Sequence, residues 1–111
     1  MIDTKPGPQL RVDPARLAPV REFMARPIGQ HGAELDALLD VLRGGPVAGK
    51  LCLICTQPHQ EWVIGRMSGE RNFPPIIEDN RVFRSIEDAE RAIFRLRWQA
   101  ETGVALPDDG V

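Results

Sequence analysis

The clearest structural signal in the sequence spans residues 85–103 and reads SIEDAERAIFRLRWQAETG. Ser85 is a favoured N-cap residue, and a glycine stands just past Thr102. When successive residues are rotated by the 100° of an α-helix, one stripe of apolar side chains lies on one face, and Phe94 and Trp98 lie on the opposite face. The first stripe comprises Ile86, Ala89, Ile93, Leu96 and Ala100. The pattern therefore predicts a capped helix that is packed on both sides.

Two alternatives remain for what covers the second face of this helix. Glu87 and Arg91 are spaced i, i+4 beside the aromatic side chains, which makes this face amphipathic and typical of an interface. The enrichment of aromatic residues at interfaces also favours a partner protein. In the alternative, helices from the N-terminal part of the same chain fold back over the face. The predicted partner interface comprises Phe94, Trp98, Arg91 and Trp62.

Two shorter helices are predicted in the N-terminal half. The first lies between Pro19 and Pro27, because proline is favoured at the start of a helix and ends one that precedes it. The second runs from about Gly32 to Arg43 and carries a stripe of leucines. The apolar positions are Val20, Phe23 and Met24 in the first helix, and Leu35, Leu38, Leu39 and Leu42 in the second.

Between these helices and the last one, the sequence favours β-structure. Residues 50–56 form a short continuous apolar run, which predicts a strand buried on both faces. Residues 61–67 return as a second strand, with Trp62 and Ile64 on one face. Residues 81–83 add a short third strand. The prediction is an α+β fold: two N-terminal helices, an antiparallel sheet of two to three strands, and a C-terminal amphipathic helix packed on it.

The length of 111 residues fits one domain. Prolines and few large apolar side chains predict a flexible N-terminal arm over residues 1–13, and a flexible tail is expected over 104–111. Residues 14–103 form the predicted domain. Because no run reaches the roughly 18 apolar residues of a membrane span, and the first residues lack the apolar stretch of a signal peptide, we expect a cytoplasmic location.

The charge pattern gives no reason to expect a polyanionic partner. The formal net charge is −2 and the isoelectric point is about 5.6. A basic face is the alternative, but acidic residues are interleaved with the arginines that would form it. Those arginines are Arg66, Arg71, Arg81, Arg84, Arg91 and Arg95. We therefore predict neither a nucleic acid nor a membrane as partner.

The only constellation with the residue types of a metal site is Cys52-x2-Cys55-x3-His59, joined in number by His31. In a strand, residues three apart point to opposite faces, so Cys52, Cys55 and His59 are only weak metal candidates. The two cysteines are expected to be buried structural thiols. No nucleophile elbow, phosphate loop or dinucleotide fingerprint is present in the sequence. We assign no catalytic, cofactor-binding or metal-binding residue to this chain.

The order of features resembles a known family. A leucine-rich helix is followed by Gly49-Lys50, a strand, Glu61-Trp62 and a second strand. The last helix then carries the pattern Phe83-x-Ser85-x-Glu87-x-Ala89-x-x-Ala92-x-Phe94. Over about residues 33 to 100 the sequence is similar to the small (alpha) subunit of N,N-dimethylformamidase.

The resemblance implies an accessory role. In that family a larger subunit holds iron through tyrosine and glutamate and hydrolyses the amide, and the small subunit packs against it. This sequence contains no tyrosine, which agrees with iron in the partner subunit and no cofactor in this chain. The expectation is a non-catalytic small subunit of a hetero-oligomer with an amidohydrolase-type catalytic subunit. The alternative is a free-standing α+β binding or adaptor module without enzymatic activity.

Overall fold

The computed structural model describes residues 12–107, and this part of the chain contains three helices and three strands. In chain order they are α1 (Ala18–Ala25), α2 (Ala33–Arg43), β1 (Leu51–Gln57), β2 (Glu61–Arg66), β3 (Ile76–Phe83) and α3 (Ile86–Thr102). Helix α3 lies between the α1–α2 pair and the sheet, which confirms the predicted α+β fold. No helix within residues 12–107 is long and apolar enough to cross a bilayer.

Helix α3 begins and ends as its sequence predicts. The Ser85 hydroxyl oxygen accepts a hydrogen bond from the Asp88 backbone N–H at 3.2 Å, and the same hydroxyl donates to the Glu87 carboxylate at 2.9 Å. At the other end Gly103 has a φ of 76°, and its N–H donates to the Gln99 carbonyl at 2.8 Å. Glycine adopts this left-handed conformation without steric cost. Local chemistry therefore sets both ends of α3.

The two N-terminal helices form where expected and stabilise each other. Pro19 stands in the first turn of α1, which ends before Pro27. Gly32, the N-cap of α2, has no side chain to accept a hydrogen bond, but the Glu22 carboxylate of α1 accepts from its N–H at 2.7 Å. One helix thus caps the next. The predicted leucine stripe of α2 is buried: Leu35, Leu38, Leu39 and Leu42.

The three strands form one antiparallel sheet in the order β1-β2-β3. The prediction that β1 is buried on both faces is wrong. Leu51 is buried at the start of the strand, but the strand becomes exposed from Cys55 onward. The physical reason is that β1 is an edge strand and α3 covers only one face of the sheet.

Strand β3 is longer than its sequence pattern predicts, since it begins at Ile76 rather than at Arg81. The run Glu78-Asp79-Asn80 breaks the alternation that would mark a strand. The register with β2 shifts twice, on either side of Ile64, so that β3 accommodates extra residues opposite its partner. A bulged strand loses the period of two, which hides it from pattern analysis.

The core consists of two clusters that meet at α3. Phe94 and Trp98 belong to the first cluster, on the side of α1 and α2, whereas Ile93 belongs to the second, on the side of the sheet. This arrangement confirms that α3 is packed on both sides. The buried members of the first cluster are Val12, Val20, Phe23, Met24, Leu35, Leu38, Leu39, Leu42, Phe94, Trp98 and Leu106; those of the second are Leu51, Ile64 and Ile93.

The packed unit reaches slightly beyond the predicted limits of 14–103. Val12 and Leu106 are both buried in the first cluster. Residues 1–11 of the predicted arm and residues 108–111 of the predicted tail lie outside the described part of the chain. The segments that flank the helices therefore contribute side chains to the core at both ends.

Candidate interaction surface

Phe94 and Trp98, the centre of the predicted partner interface, are buried within the chain. Their exposed fractions are 2% and 1%. The Phe94 ring stacks on Phe23 of α1, with ring centroids 4.4 Å apart and planes 18° from parallel. Because α1 and α2 cover this face, neither side chain is available to a partner in this fold. The prediction of an aromatic docking face on α3 is corrected to the intrachain alternative.

Arg91, also predicted at the interface, connects two helices. Its Nε donates to the Met24 carbonyl at 2.9 Å, and its Nη1 pairs with the Asp88 carboxylate at 3.0 Å. The ion pair is therefore with Asp88 at i−3, whereas the carboxylate of Glu87 accepts from Ser85. Glu87's own backbone N–H and the Ser85 hydroxyl lower the pKa of the Glu87 carboxyl. A contact between Arg91 and a partner stays a prediction.

Trp62 lies on the face of β2 that is turned toward α3. It is half-buried and stands opposite Cys55 on β1 and Phe83 on β3. Phe83 packs against the second core cluster, so Trp62 shares the covered side of the sheet. Its predicted role in partner binding stays a prediction.

The metal candidates are separated by the strand geometry. Cys52 is half-buried and Cys55 is exposed, so the expectation of two buried structural thiols is wrong for Cys55. The Cys55 thiol donates to the Gln57 carbonyl at 3.3 Å, and His59 occupies the turn before β2 with a φ of 60°. Across residues 12–107, no three His, Cys, Asp or Glu side chains converge as a metal ion would require.

Three of the arginines that would form a basic face line a cleft of about 400 Å³ between β3 and α3. Besides the contacts of Arg91, Arg95 donates to the Pro107 carbonyl at 2.8 Å, and the Arg81 guanidinium lies 5.2 Å from the centre of the Phe83 ring. Arg91 therefore attaches α3 to α1, and Arg95 attaches α3 to the segment that follows it.

The face of the sheet turned away from α3 is apolar, and no element within residues 12–107 packs on it. The strand pairing places Ile54 opposite Val63 and Ile77 opposite Gly65 on this face. Val82 also lies on it, because the neighbouring Phe83 is paired with Trp62 on the side of α3. Val63 is 5% exposed although it belongs to neither core cluster. A Cβ on Gly65 would come within 2.5 Å of Ile54 Cδ1, so the Ile54 side chain lies flat across the strand. Ile77 and Val82, at the β3 side of this face, are exposed.

The β2–β3 loop carries further exposed apolar side chains. Phe73 and Ile76 are 62% and 68% exposed, and with Pro74 and Pro75 they border an open apolar groove of about 380 Å³. Ile76 pairs with Arg66 on the α3 side of β2, so it lies on the opposite face from Ile77. We call the sheet face alone the outer apolar surface, and its residues are Ile54, Val63, Ile77 and Val82. Together, the loop and the sheet face hold four of the seven exposed large hydrophobic residues in the described chain.

The chain matches a known protein family. Residues 16–105 match the family described as N,N-dimethylformamidase alpha subunit. The chain belongs to this family. No curated protein and no solved structure matches it.

The residues that match the dimethylformamidase alpha-subunit family begin before α1 and end after α3. They include the whole outer apolar surface. The sequence analysis identified neither that surface nor the exposed apolar loop that precedes β3. The signal for the loop is a run of five consecutive apolar residues, 73–77, which reads FPPII between polar neighbours. Because a proline-rich loop runs over the surface and not through the core, an apolar run of this kind predicts exposed apolar side chains.

Proposed function

We propose that this chain is the non-catalytic accessory (small) subunit that packs on and stabilises a larger amidohydrolase-type catalytic subunit in a dimethylformamidase-like hetero-oligomer. The observation that carries the proposal is membership of an alpha-subunit family over residues 16–105. A subunit has a partner by definition. The exposed apolar surface of this 12.4-kDa chain supports the same conclusion, because monomers seldom leave such patches uncovered.

The metal chemistry of such a complex is assigned to the partner. The sequence has no tyrosine, and residues 12–107 bring together no set of three side chains that would hold a metal ion. The donor groups of this chain therefore do not fit an iron centre built on tyrosine and glutamate. Any iron in the complex would belong to the catalytic subunit.

Co-expression tests this proposal. The chain is produced together with a large subunit of the dimethylformamidase type, and complex formation, thermal stability and dimethylformamide hydrolysis are measured. We expect a stable complex that hydrolyses the amide, an inactive small subunit, and a large subunit that unfolds at a lower temperature when alone. Hydrolysis by this chain alone would contradict the accessory role. So would a large subunit that is equally stable and active without it.

The second candidate is a free-standing binding or adaptor module, and one observation favours it. The N-terminal helices cover Phe94 and Trp98 within the chain, so the domain completes its main core without a partner. Light scattering of the chain together with the large subunit distinguishes the two functions. A persistent monomer supports the module, whereas a complex of defined composition supports the subunit.

A further inference from the structure

Strand β1 forms one of the two edges of the sheet, and β3 forms the other. An edge strand presents unpaired backbone N–H and C=O groups, on which a further strand can pair. We propose that β1 pairs antiparallel with β1 of a second copy of this chain, so that two three-stranded sheets join into one sheet of six strands. Such pairing goes beyond the proposed function and does not depend on it.

The hydrogen bonds between β1 and β2 show which backbone groups of β1 point to the open edge. The Met67 N–H donates to the Lys50 carbonyl at 2.8 Å, so these two residues form a hydrogen-bonded pair. Such pairs alternate with non-hydrogen-bonded pairs along an antiparallel ladder. The register therefore directs the N–H and C=O groups of Leu51, Leu53 and Cys55 away from β2.

Some of the carbonyls at this edge are already occupied. The Leu51 carbonyl accepts from Arg97 Nη2 at 3.0 Å, and the Gln57 carbonyl accepts from the Cys55 thiol at 3.3 Å. Within residues 12–107, the outward N–H and C=O groups of Leu53 and Cys55 have no hydrogen-bond partner. These two residues are therefore the ones whose backbone donor and acceptor are both available to a further strand.

A two-fold axis beside Ile54 uses all of these free groups. Leu53 of each copy then lies opposite Cys55 of the other, and the two residues exchange both of their N–H···O=C bonds. Ile54 lies opposite its own counterpart, and β-branched side chains in such pairs stabilise antiparallel strands. Moving the axis by one residue in either direction would require the occupied carbonyl of Leu51 or Gln57.

The two edges of the sheet differ in their protection against pairing. Natural edge strands carry charges, prolines or bulges that prevent association with another strand. Strand β3 carries Glu78 and Arg81, and its register with β2 shifts twice. Strand β1 reads LCLICTQ, without a charge or a proline, and its pairing with β2 is regular from Leu51 to Cys55. The unprotected edge is therefore the one that a second strand can extend.

A second copy of β1 has the chemistry that this edge requires. An added strand places side chains beside Leu53 on the α3 side and beside Ile54 on the outer side, so both of its faces meet apolar neighbours. Because β1 is uncharged over its whole length, its antiparallel pairing with itself brings no like charges together. The contact is narrow and derives its affinity from main-chain hydrogen bonds, so we expect a dissociation constant of about 10 to 100 μM.

The first test measures the oligomeric state of the full chain under reducing conditions. Light scattering between about 1 and 500 μM should show an equilibrium between monomer and dimer. Cys55→Pro removes an outward N–H and places the proline ring on the edge without removing a bond to β2, so the dissociation constant should rise at least about tenfold. The matched control, Cys55→Ala, keeps the N–H and should stay within about threefold of the wild type. Circular dichroism and urea midpoints establish that both variants fold.

Two outcomes of this test would overturn the inference. One is a wild-type chain that stays monomeric at every concentration. The other is a folded Cys55→Pro variant that dimerises as strongly as Cys55→Ala.

A cross-link tests the register and does not depend on the proline variant. In a background with Cys52→Ser and Cys55→Ser, Ile54→Cys places a thiol opposite its counterpart, where a Cα separation of about 4.5 Å permits a disulfide. Mild oxidation should give a covalent dimer on a non-reducing gel. The matched control is Ile77→Cys, which lies on the same face of the sheet but on β3 and should stay monomeric. Equal yields at the two positions, or no cross-link through Ile54→Cys, would contradict the pairing.

A strand of the larger subunit is the other possible occupant of this edge. If the wild-type chain is monomeric alone and Cys55→Pro binds the purified large subunit at least about tenfold more weakly than Cys55→Ala, that subunit occupies the edge and the inference is wrong. A proline-sensitive dimer of the isolated chain, with both variants binding the large subunit alike, supports pairing between two copies. Failure of the large subunit to bind any of these chains would contradict the proposed function and leave the dimer unaffected.

Discussion

The ring of Phe23 on α1 lies 4.4 Å from the ring of Phe94 on α3, in a stacked arrangement inside the first core cluster. Phe94 is in turn stacked at 6.3 Å with Trp98. These contacts connect α1 to α3, the helix that also packs against the sheet. The three aromatic residues therefore hold the two halves of the domain together.

Phe94→Ala is expected to lower the free energy of unfolding by about 3–5 kcal/mol, because it leaves a cavity between α1 and α3. Urea denaturation followed by circular dichroism measures the loss. Phe73→Ala is the matched control: Phe73 is 62% exposed, and its truncation should change stability by no more than about 0.5 kcal/mol. Equal losses in the two variants would show that α1 does not cover Phe94.

The two tryptophans should differ in fluorescence. In Trp62→Phe the remaining signal comes from Trp98, which is 1% exposed, and its emission should be shifted to the blue of indole in water. In Trp98→Phe the signal comes from the half-buried Trp62, and its emission should lie at longer wavelength. Addition of iodide should quench Trp62 and leave Trp98 unquenched. Quenching of Trp98 in a folded monomer would contradict its burial.

Arg91→Ala should destabilise the chain by about 1–3 kcal/mol, since it leaves the Met24 carbonyl without its donor and removes the ion pair with Asp88. The matched control is Arg84→Ala. The Arg84 side chain is 79% exposed and pairs with Glu61 at the surface, so its loss should be worth about 0.5 kcal/mol or less. Thermal denaturation of both variants measures the difference. A larger effect at Arg84 would contradict the assignment of Arg91 as the connection between α1 and α3.

Stability should fall in acid partly through Glu87. Its folded-state pKa is depressed by its own backbone N–H and by the Ser85 hydroxyl, so the ionised form is favoured in the native state. The resulting stabilisation is present above the pKa of the unfolded chain and is lost as the pH falls through the lower pKa of the folded state. Glu87→Gln should therefore lower the urea midpoint at pH 7 and have a smaller effect at pH 3.

Ser85 provides the control for this pH dependence. In a Ser85→Ala background the carboxylate loses the donor that accounts for part of its depressed pKa. The pH-dependent part of the Glu87→Gln effect should shrink there. An undiminished pH dependence would assign the shift to the backbone N–H alone.

The residues that sequence reasoning placed correctly are those whose partners are close in the chain. Ser85 and Gly103 set the two ends of α3 through contacts within one helical turn. The leucine stripe of α2 is likewise a local periodicity. By contrast, β3 was found only in its last three residues, because two shifts of register removed its alternation. Strand pairing depends on residues far apart in the chain, so its irregularities leave no local pattern.

The sequence by itself determined the helices, the α+β class and the family. Helix capping, apolar periodicity and motif order all depend on residues that are close to one another in the chain. Only the tertiary structure decided which apolar faces stay free. An apolar stripe such as Phe94 and Trp98 predicts that these side chains are buried. It does not predict which group buries them, because the hydrophobic effect is non-directional. Helices α1 and α2 cover that stripe, whereas Ile77 and Val82 on the outer apolar surface are exposed in the described part of the chain.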